Sequence, residues 1–219
     1  MSYFPMFIEL KQQPCLVIGG GSVASRKAAV LEDFGARVAV IAPVISAEIK
    51  AMKHVRWLEK MFTEEDLCPS KEWMGECCAE WALVVAATDD TSLNHRISEA
   101  CRDKKIPVNA VDQIEDCSFI FPAYQKEGEV VAAFSSGGQS PSIAQYLKAQ
   151  IQPFMPPFLG ALAACLGEIR GTVKQCTTTE GERKKIYQTL LELAMQKEQL
   201  PTEHEIQEII QAAIEKEAW

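Results

Sequence analysis

Four groups of residues in this chain have types and spacings that can do chemistry. Gly19, Gly21 and Ala24 follow the pattern G-x-G-x-x-[G/A] directly behind the apolar run Leu16-Val17-Ile18. At these spacings Gly19 permits a sharp turn, Gly21 lets the backbone approach a pyrophosphate, and Ala24 lets the next helix pack closely on the strand. The first amides of that helix and its positive dipole end then face the anion. Thr88-Asp89-Asp90 and Asn109-Ala110-Val111-Asp112 form the second and third groups, each closing an apolar run with polar residues. The fourth, Ser135-Ser136-Gly137-Gly138, is a glycine-serine loop that opens a helix and offers a second anion cradle.

A nicotinamide cofactor at the first loop implies hydride transfer, which needs a group that moves a proton. Asp89, Asp90, Asp112 and His95 are the candidates. Asp89 and Asp90 fit helix capping equally well, and His95 reads as a surface or packing residue. Asp112 is the better general base because it closes a strand beside the second glycine loop, although a turn-forming Asp has the same appearance. The dinucleotide fingerprint also calls for an acid at the end of the second strand to hold the ribose hydroxyls. Ala42-Pro43-Val44 stands there instead, with Ser46 near and no basic residue to receive a 2'-phosphate. His54, His95 and His204 lack ligand spacing and the cysteines contain no C-x-x-C, so no metal ligands are assigned.

These groups need a scaffold that brings them to one edge. Residues 3–10 alternate loosely and predict an edge strand or lead-in. A strand at 15–18, a helix from Ser22 to Phe34 stopped by Gly35, and a nearly continuous apolar strand at 37–42 make one strand-helix-strand unit. A helix at 46–52, a short strand at 54–58, a polar connection at 64–80, a buried strand at 81–87, a helix at 92–104 and a strand at 106–111 follow. The glycine loop, Thr88-Asp90 and Asp112 then share the carboxyl edge of one doubly wound parallel sheet, where ligands of such sheets bind. Beyond a linker at 113–116, the apolar runs 117–122 and 129–135 predict a hairpin or exchanged arm, and unpaired strands of this kind pair between copies. Helices are expected at 142–152, 158–170, 180–198 and 202–217, the last capped by Thr202 with Glu205 three residues on.

The expected architecture is therefore α/β: a Rossmann domain over 1–112, a small α+β dimerisation region over 113–152, and a helical carboxy-terminal domain over 153–219. A chain of 219 residues can bury such a core. No apolar run approaches the roughly 18 residues of a membrane span, and Met1-Ser2-Tyr3-Phe4-Pro5 reads as no leader, so the expectation is cytoplasmic. The net charge of −8 argues against nucleic acid and anionic membranes as partners. The eight cysteines are expected as reduced apolar fillers, with Cys77-Cys78 the pair most prone to oxidation.

The sequence resembles the siroheme synthase amino-terminal domain family, which includes precorrin-2 dehydrogenases and bifunctional dehydrogenase/ferrochelatases. The resemblance rests on seven blocks in the family's order over about residues 5–152. They are Val17 to Lys27, Gly35 to Pro43, Ala86 to Asn94, Asn109 to Asp112, Cys117-Ser118-Phe119, Pro122-Ala123, and Ser135 to Pro141. It implies NAD-dependent oxidation of precorrin-2 to sirohydrochlorin in a homodimer. It also implies that Asp112 is the catalytic carboxylate, and that it serves iron insertion in bifunctional members with ferrous iron as substrate. Gly19, Gly21, Ser22, Val23, Pro43, Val44 and Thr88 match cofactor positions, which accounts for the missing acid. Ser136 and Gly137 match the loop bordering the tetrapyrrole. Glu127 stands where many relatives carry Arg, with Lys126 before it. The family's methyltransferase domain has no counterpart in these residues, so methylation of uroporphyrinogen is expected of another protein. The reading from another class is a non-catalytic NAD-binding regulatory module.

Overall fold

The computed structural model describes residues 3–69 and 80–215. The chain divides into two compact units, residues 1–121 and 122–219.

The first unit is built on five short parallel strands: β1 (Pro14–Ile18), β2 (Arg37–Ala42), β3 (Val55–Glu59), β4 (Leu83–Ala86) and β5 (Val108–Ala110). Their order is β3-β2-β1-β4-β5, with β1 hydrogen-bonded to β2 on one side and β4 on the other. The order reverses between β1 and β4, which creates the crevice that open α/β sheets use for ligands. Successive side chains of a strand point to opposite faces, and the core divides accordingly. Leu16, Ile18, Ala39, Ile41, Val84 and Ala86 join Ile97 and Cys101 on one face. Cys15, Val17, Val38, Val40, Leu83 and Val85 join Ala24, Ala28 and Leu31 on the other. Hence α1 (Ser22–Asp33) covers one face and α3 (Thr91–Asp103) the other, while α2 (Ala47–Ala51) follows β2. Each fully buried Leu, Ile or Val contributes roughly 1.5–3 kcal/mol, so both faces hold the sheet edge rigidly. Burial pushes the thiols of Cys15 and Cys101 up to about 12, as expected of apolar fillers. The adjacent Cys77-Cys78 lies outside the described residues, as does most of the polar connection after Leu67.

Two expectations are corrected. Residues 3–10 form no strand. The strand they lead into, β1, is already paired on both sides, and Phe4, Met6 and Phe7 are more than 70% exposed. The hairpin is not made by 117–122. It pairs β6 (Ala123–Glu127) with β7 (Val130–Phe134), Glu127 opposite Val130. The two-residue connection Gly128-Glu129, with Gly128 at φ 59°, fixes that register. Residues 117–119 instead run along β5: Ser118 N donates to the Val108 carbonyl (2.8 Å), and Asn109 Nδ2 to the Phe119 carbonyl (3.0 Å). The first compact unit runs to Phe121.

In the second unit the hairpin is followed by α4 (Pro141–Ile151), α5 (Leu159–Glu168), α6 (Arg170–Cys176), α7 (Glu180–Lys197) and α8 (Glu203–Glu215). The single helix expected over 158–170 is two, divided at Ile169. Val173, Ile186, Leu190, Ile206 and Ile210 form the helical core. Thr179 with Glu182 and Thr202 with Glu205 make reciprocal capping boxes at the starts of α7 and α8. A Cβ on Gly160 would stand 2.4 Å from the Glu127 carbonyl oxygen, so α5 and the hairpin turn meet backbone to backbone.

Candidate functional site

The carboxyl ends of β1, β4 and β5 lie side by side and carry the glycine loop, Thr88 and Asp112. The backbone records the adjacency. Ala87 N donates to the Ile18 carbonyl (2.7 Å), and Val111 N to the Ala86 carbonyl (2.9 Å).

The three glycines of the loop do different work. Gly19 has φ 133°, and a Cβ there would stand 2.1 Å from the Ala87 carbonyl oxygen. Gly20, outside the motif, is as constrained: its Cβ would meet the Val44 carbonyl oxygen at 1.9 Å, and Ser46 N donates to its carbonyl (3.0 Å). The Pro43-Val44 turn thus lies against the glycine loop, with Val44 exposed. Gly21 is the N-cap of α1, contributes no side-chain cap, and has nothing within 4 Å of where its Cβ would be. Protein packing therefore does not require a glycine at 21. The open face beside uncapped helix amides suits a phosphate, so the residues present fit a dinucleotide. Ser22 is exposed and Val23 half-buried at the same helix start.

Thr88 is held by Asn94, which is buried in the first turns of α3. Asn94 Nδ2 donates to the Thr88 carbonyl (3.0 Å), and Asn94 Oδ1 accepts from Thr88 N (3.2 Å) and lies 2.7 Å from Thr88 Oγ1. Asp90 Oδ1 accepts from Leu93 N (3.0 Å), which commits Asp90 to capping α3. Asp89 is exposed.

Asp112 is exposed just past β5 and is a non-glycine residue at φ 60°. Lys27, in the second turn of α1, lies near enough to feel the Asp112 charge. The Lys27 ammonium lies 3.8 Å from the centroid of the Phe121 ring, which itself packs on Phe119. Burial holds the ammonium below the ordinary lysine value and Arg26 adds to this, while Cys117 and Asp112 pull the other way. Burial raises the Cys117 thiol, which reaches the carbonyls of Ala110 (3.2 Å) and Gln113 (3.3 Å). His95, read from sequence as a surface or packing residue, is half-exposed and has a specific partner, with Nδ1 2.8 Å from Asp116 Oδ1. Asp116 was not singled out by sequence. Its neighbours Asp112, Gln113 and Glu115 are polar as well, so nothing in the sequence sets it apart.

Ser136 and Gly137 belong to the second unit. Ser136 Oγ accepts from Ser140 N (2.8 Å), and Gly137, at φ 66°, donates its N–H to Ser135 Oγ (3.0 Å). Ser140 then caps α4.

Among the described residues there is no cluster of three or more His, Cys, Asp or Glu arranged to hold a metal, and no helix long and apolar enough to cross a membrane. A cavity of about 530 Å³ lies at the opposite, amino-terminal edge of β2 and β3, lined by Glu32, Arg37, His54 and Arg56 among others. None of the glycine-loop residues line it.

A mostly parallel sheet with a glycine turn at its switch point defines a dinucleotide-binding α/β protein. Residues 6–123 match the family described as putative NAD(P)-binding, and the chain belongs to that family. The resemblance to siroheme synthases also stands. The chain is 38% identical over 191 residues to siroheme synthase 1 of Yersinia enterocolitica, covering 86% of this chain and 38% of that protein. It is 38% identical over 193 residues to siroheme synthase of Nitrosospira multiformis, covering 88% and 40% respectively. The chain thus spans about two fifths of the length of these relatives. Its fold is similar to that of the solved SirC, precorrin-2 dehydrogenase, with TM-score 0.73, 23% identity, and coverage of 98% of this chain and 100% of that one.

Proposed function

We propose that the chain catalyses the NAD-dependent oxidation of precorrin-2 to sirohydrochlorin, a step of siroheme biosynthesis. The observation that carries this reading is the meeting of the glycine loop and Asp112 on one sheet edge, with β4 alone between their strands. The siroheme synthase relatives and the fold shared with a precorrin-2 dehydrogenase support it.

In this reading Gly21, Ser22 and Val23 hold the pyrophosphate by backbone amides, Gly19, whose own amide donates to the Ile41 carbonyl, makes the turn that lets it approach, and Pro43, Val44 and Thr88 flank the dinucleotide. NAD, when bound, supplies the hydride acceptor. Asp112 accepts the proton that leaves as the hydride departs, so that the macrocycle gives up one hydride to the cofactor and one proton to Asp112, two electrons and two protons in all. Lys27 meets a substrate carboxylate, and Ser136 and Gly137 are further substrate contacts. NAD is chosen over its 2'-phosphate because Ala42-Pro43-Val44 offers no cation. The active form is a homodimer in the cytoplasm, paired through the region 113–152.

The test is conversion of enzymatically made precorrin-2 by purified protein with NAD, followed by visible absorbance. Asp112→Asn is expected to lower turnover about 10²- to 10⁴-fold, the usual worth of a general base, with NAD binding retained. Full turnover in that variant removes Asp112 from the mechanism. NAD binding without conversion by the wild type identifies a regulatory module instead. Anaerobic assay of sirohydrochlorin with ferrous iron, without NAD, separates a dehydrogenase from a bifunctional ferrochelatase.

A further inference from the structure

Thr91, His95, Ser98 and Arg102 recur along α3 at intervals of four, three and four residues, so they form one stripe on the helix. Every member of the stripe meets the segment that follows Asp112. Gln113 Nε2 donates to the Thr91 carbonyl (3.1 Å). His95 Nδ1 is 2.8 Å from Asp116 Oδ1. Ser98 Oγ donates to the Asp116 carbonyl (2.6 Å), and Arg102 donates to the Glu115 carbonyl.

Within the segment, Gln113 Nε2 also donates to Asp116 Oδ2 (3.1 Å), so one carboxylate joins His95 to Gln113. The Asp116 side chain is 8% exposed. A carboxylate so buried is tolerated only when paired, and here both oxygens are engaged. Gln113 Oε1 is buried without a partner among the described residues, so the amide is oriented by its two donor contacts alone. Asp112 immediately precedes Gln113 and has left-handed φ, a conformation that is strained for a non-glycine residue and is held by its surroundings.

We propose that the His95–Asp116 pair, acting through Gln113, is the positioning device for Asp112. It anchors residues 113–117 to α3 and so holds the turn that presents the Asp112 carboxylate. His95 and Asp116 touch no substrate. The proposal rests on the role given to Asp112 above.

The test compares Asp112→Asn, His95→Ala, His95→Gln and Asp116→Leu in the full chain. Each is assayed for precorrin-2 oxidation with NAD, for NAD affinity, and for amide hydrogen exchange over residues 110–117. His95 is itself 52% exposed, but its loss leaves the buried Asp116 carboxylate short of a partner, so thermal melts accompany each variant and His95→Gln, which keeps a donor, separates a folding defect from a positioning one. A misplacement of about 1 Å costs on the order of 10²-fold in rate. His95→Ala and Asp116→Leu are expected to lower kcat about 10- to 100-fold while KM and NAD affinity stay within about twofold. Exchange at 112–117 should quicken, and His95→Gln, which retains a donor, should restore most of the rate. Wild-type kcat or unchanged exchange in His95→Ala, with Asp112→Asn inactive, overturns the positioning proposal and leaves the reaction assignment intact. Full activity in Asp112→Asn overturns both.

Discussion

The glycine at 19 and the carbonyl of Ala87 are so close that a Cβ on Gly19 would lie 2.1 Å from the oxygen. The turn after β1 and the end of β4 are therefore locked together by the absence of a side chain. Gly19→Ala would meet both this clash and φ 133°, and is expected to destabilise the protein by about 3 kcal/mol or more. Gly21→Ala projects its methyl into open space and should change stability by less than about 0.5 kcal/mol, while weakening NAD binding at least tenfold. Denaturant titration paired with NAD titration separates the two. Equal loss of stability in both variants would refute the assignment of the open face to a ligand.

Asn94 is 1% exposed and serves Thr88 with both ends of its amide. Asn94→Leu removes those partners and leaves the Thr88 polar groups unmet, at about 1–3 kcal/mol for a buried unsatisfied group. A melting temperature several degrees below wild type is expected, together with weaker cofactor binding, because Thr88 ends the strand beside the glycine loop. An unchanged melting temperature would show that water replaces Asn94.

Lys27 lies half-buried against Phe121 at the sheet edge, in a chain of net charge −8. Lys27→Met keeps the apolar stem on the ring and is expected to leave thermal stability within about 0.5 kcal/mol. In the proposed oxidation of precorrin-2, its KM should rise about tenfold, the equivalent of one charge-assisted contact of roughly 1.5 kcal/mol. A KM equal to wild type would remove Lys27 from the substrate site.

Glu205 binds Lys197 and the backbone and hydroxyl of Thr202, and these contacts, Lys197 first, lower its carboxyl to about 2. A folded value below the unfolded one stabilises above the unfolded value, near 4.5, and that stabilisation is lost as pH falls through about 2. Glu205→Gln should therefore be less stable than wild type at pH 6, with the gap closing between pH 4.5 and pH 2. Far-ultraviolet melts across that range measure it. A gap independent of pH would show that Glu205 acts by packing.

How much was legible in the sequence differs between the two units. In the first, β2 was read at 37–42 and is found as Arg37–Ala42, because a strand buried on both faces leaves a continuous apolar run. The hairpin misled for the converse reason. Ala123–Glu127 carries Tyr124, Gln125, Lys126 and Glu127 and has no apolar period, whereas the apolar 117–122 has the composition of a strand but packs beside β5 instead. The capping boxes at Thr179 and Thr202 show the best case of local coding: only the second was read, yet both are set by residues three apart.

The sequence by itself determined the strand-turn-helix around Gly19 and the polar residues that close the later strands, because each is encoded within a few residues of chain. Only the tertiary structure decided that Gly20, and not Gly21, is sterically required, since the obstructing carbonyl of Val44 arrives from the end of another strand. It alone decided that His95 belongs with Asp116, twenty-one residues away. A stripe at helical spacing says which residues share a face, and packing says what that face meets.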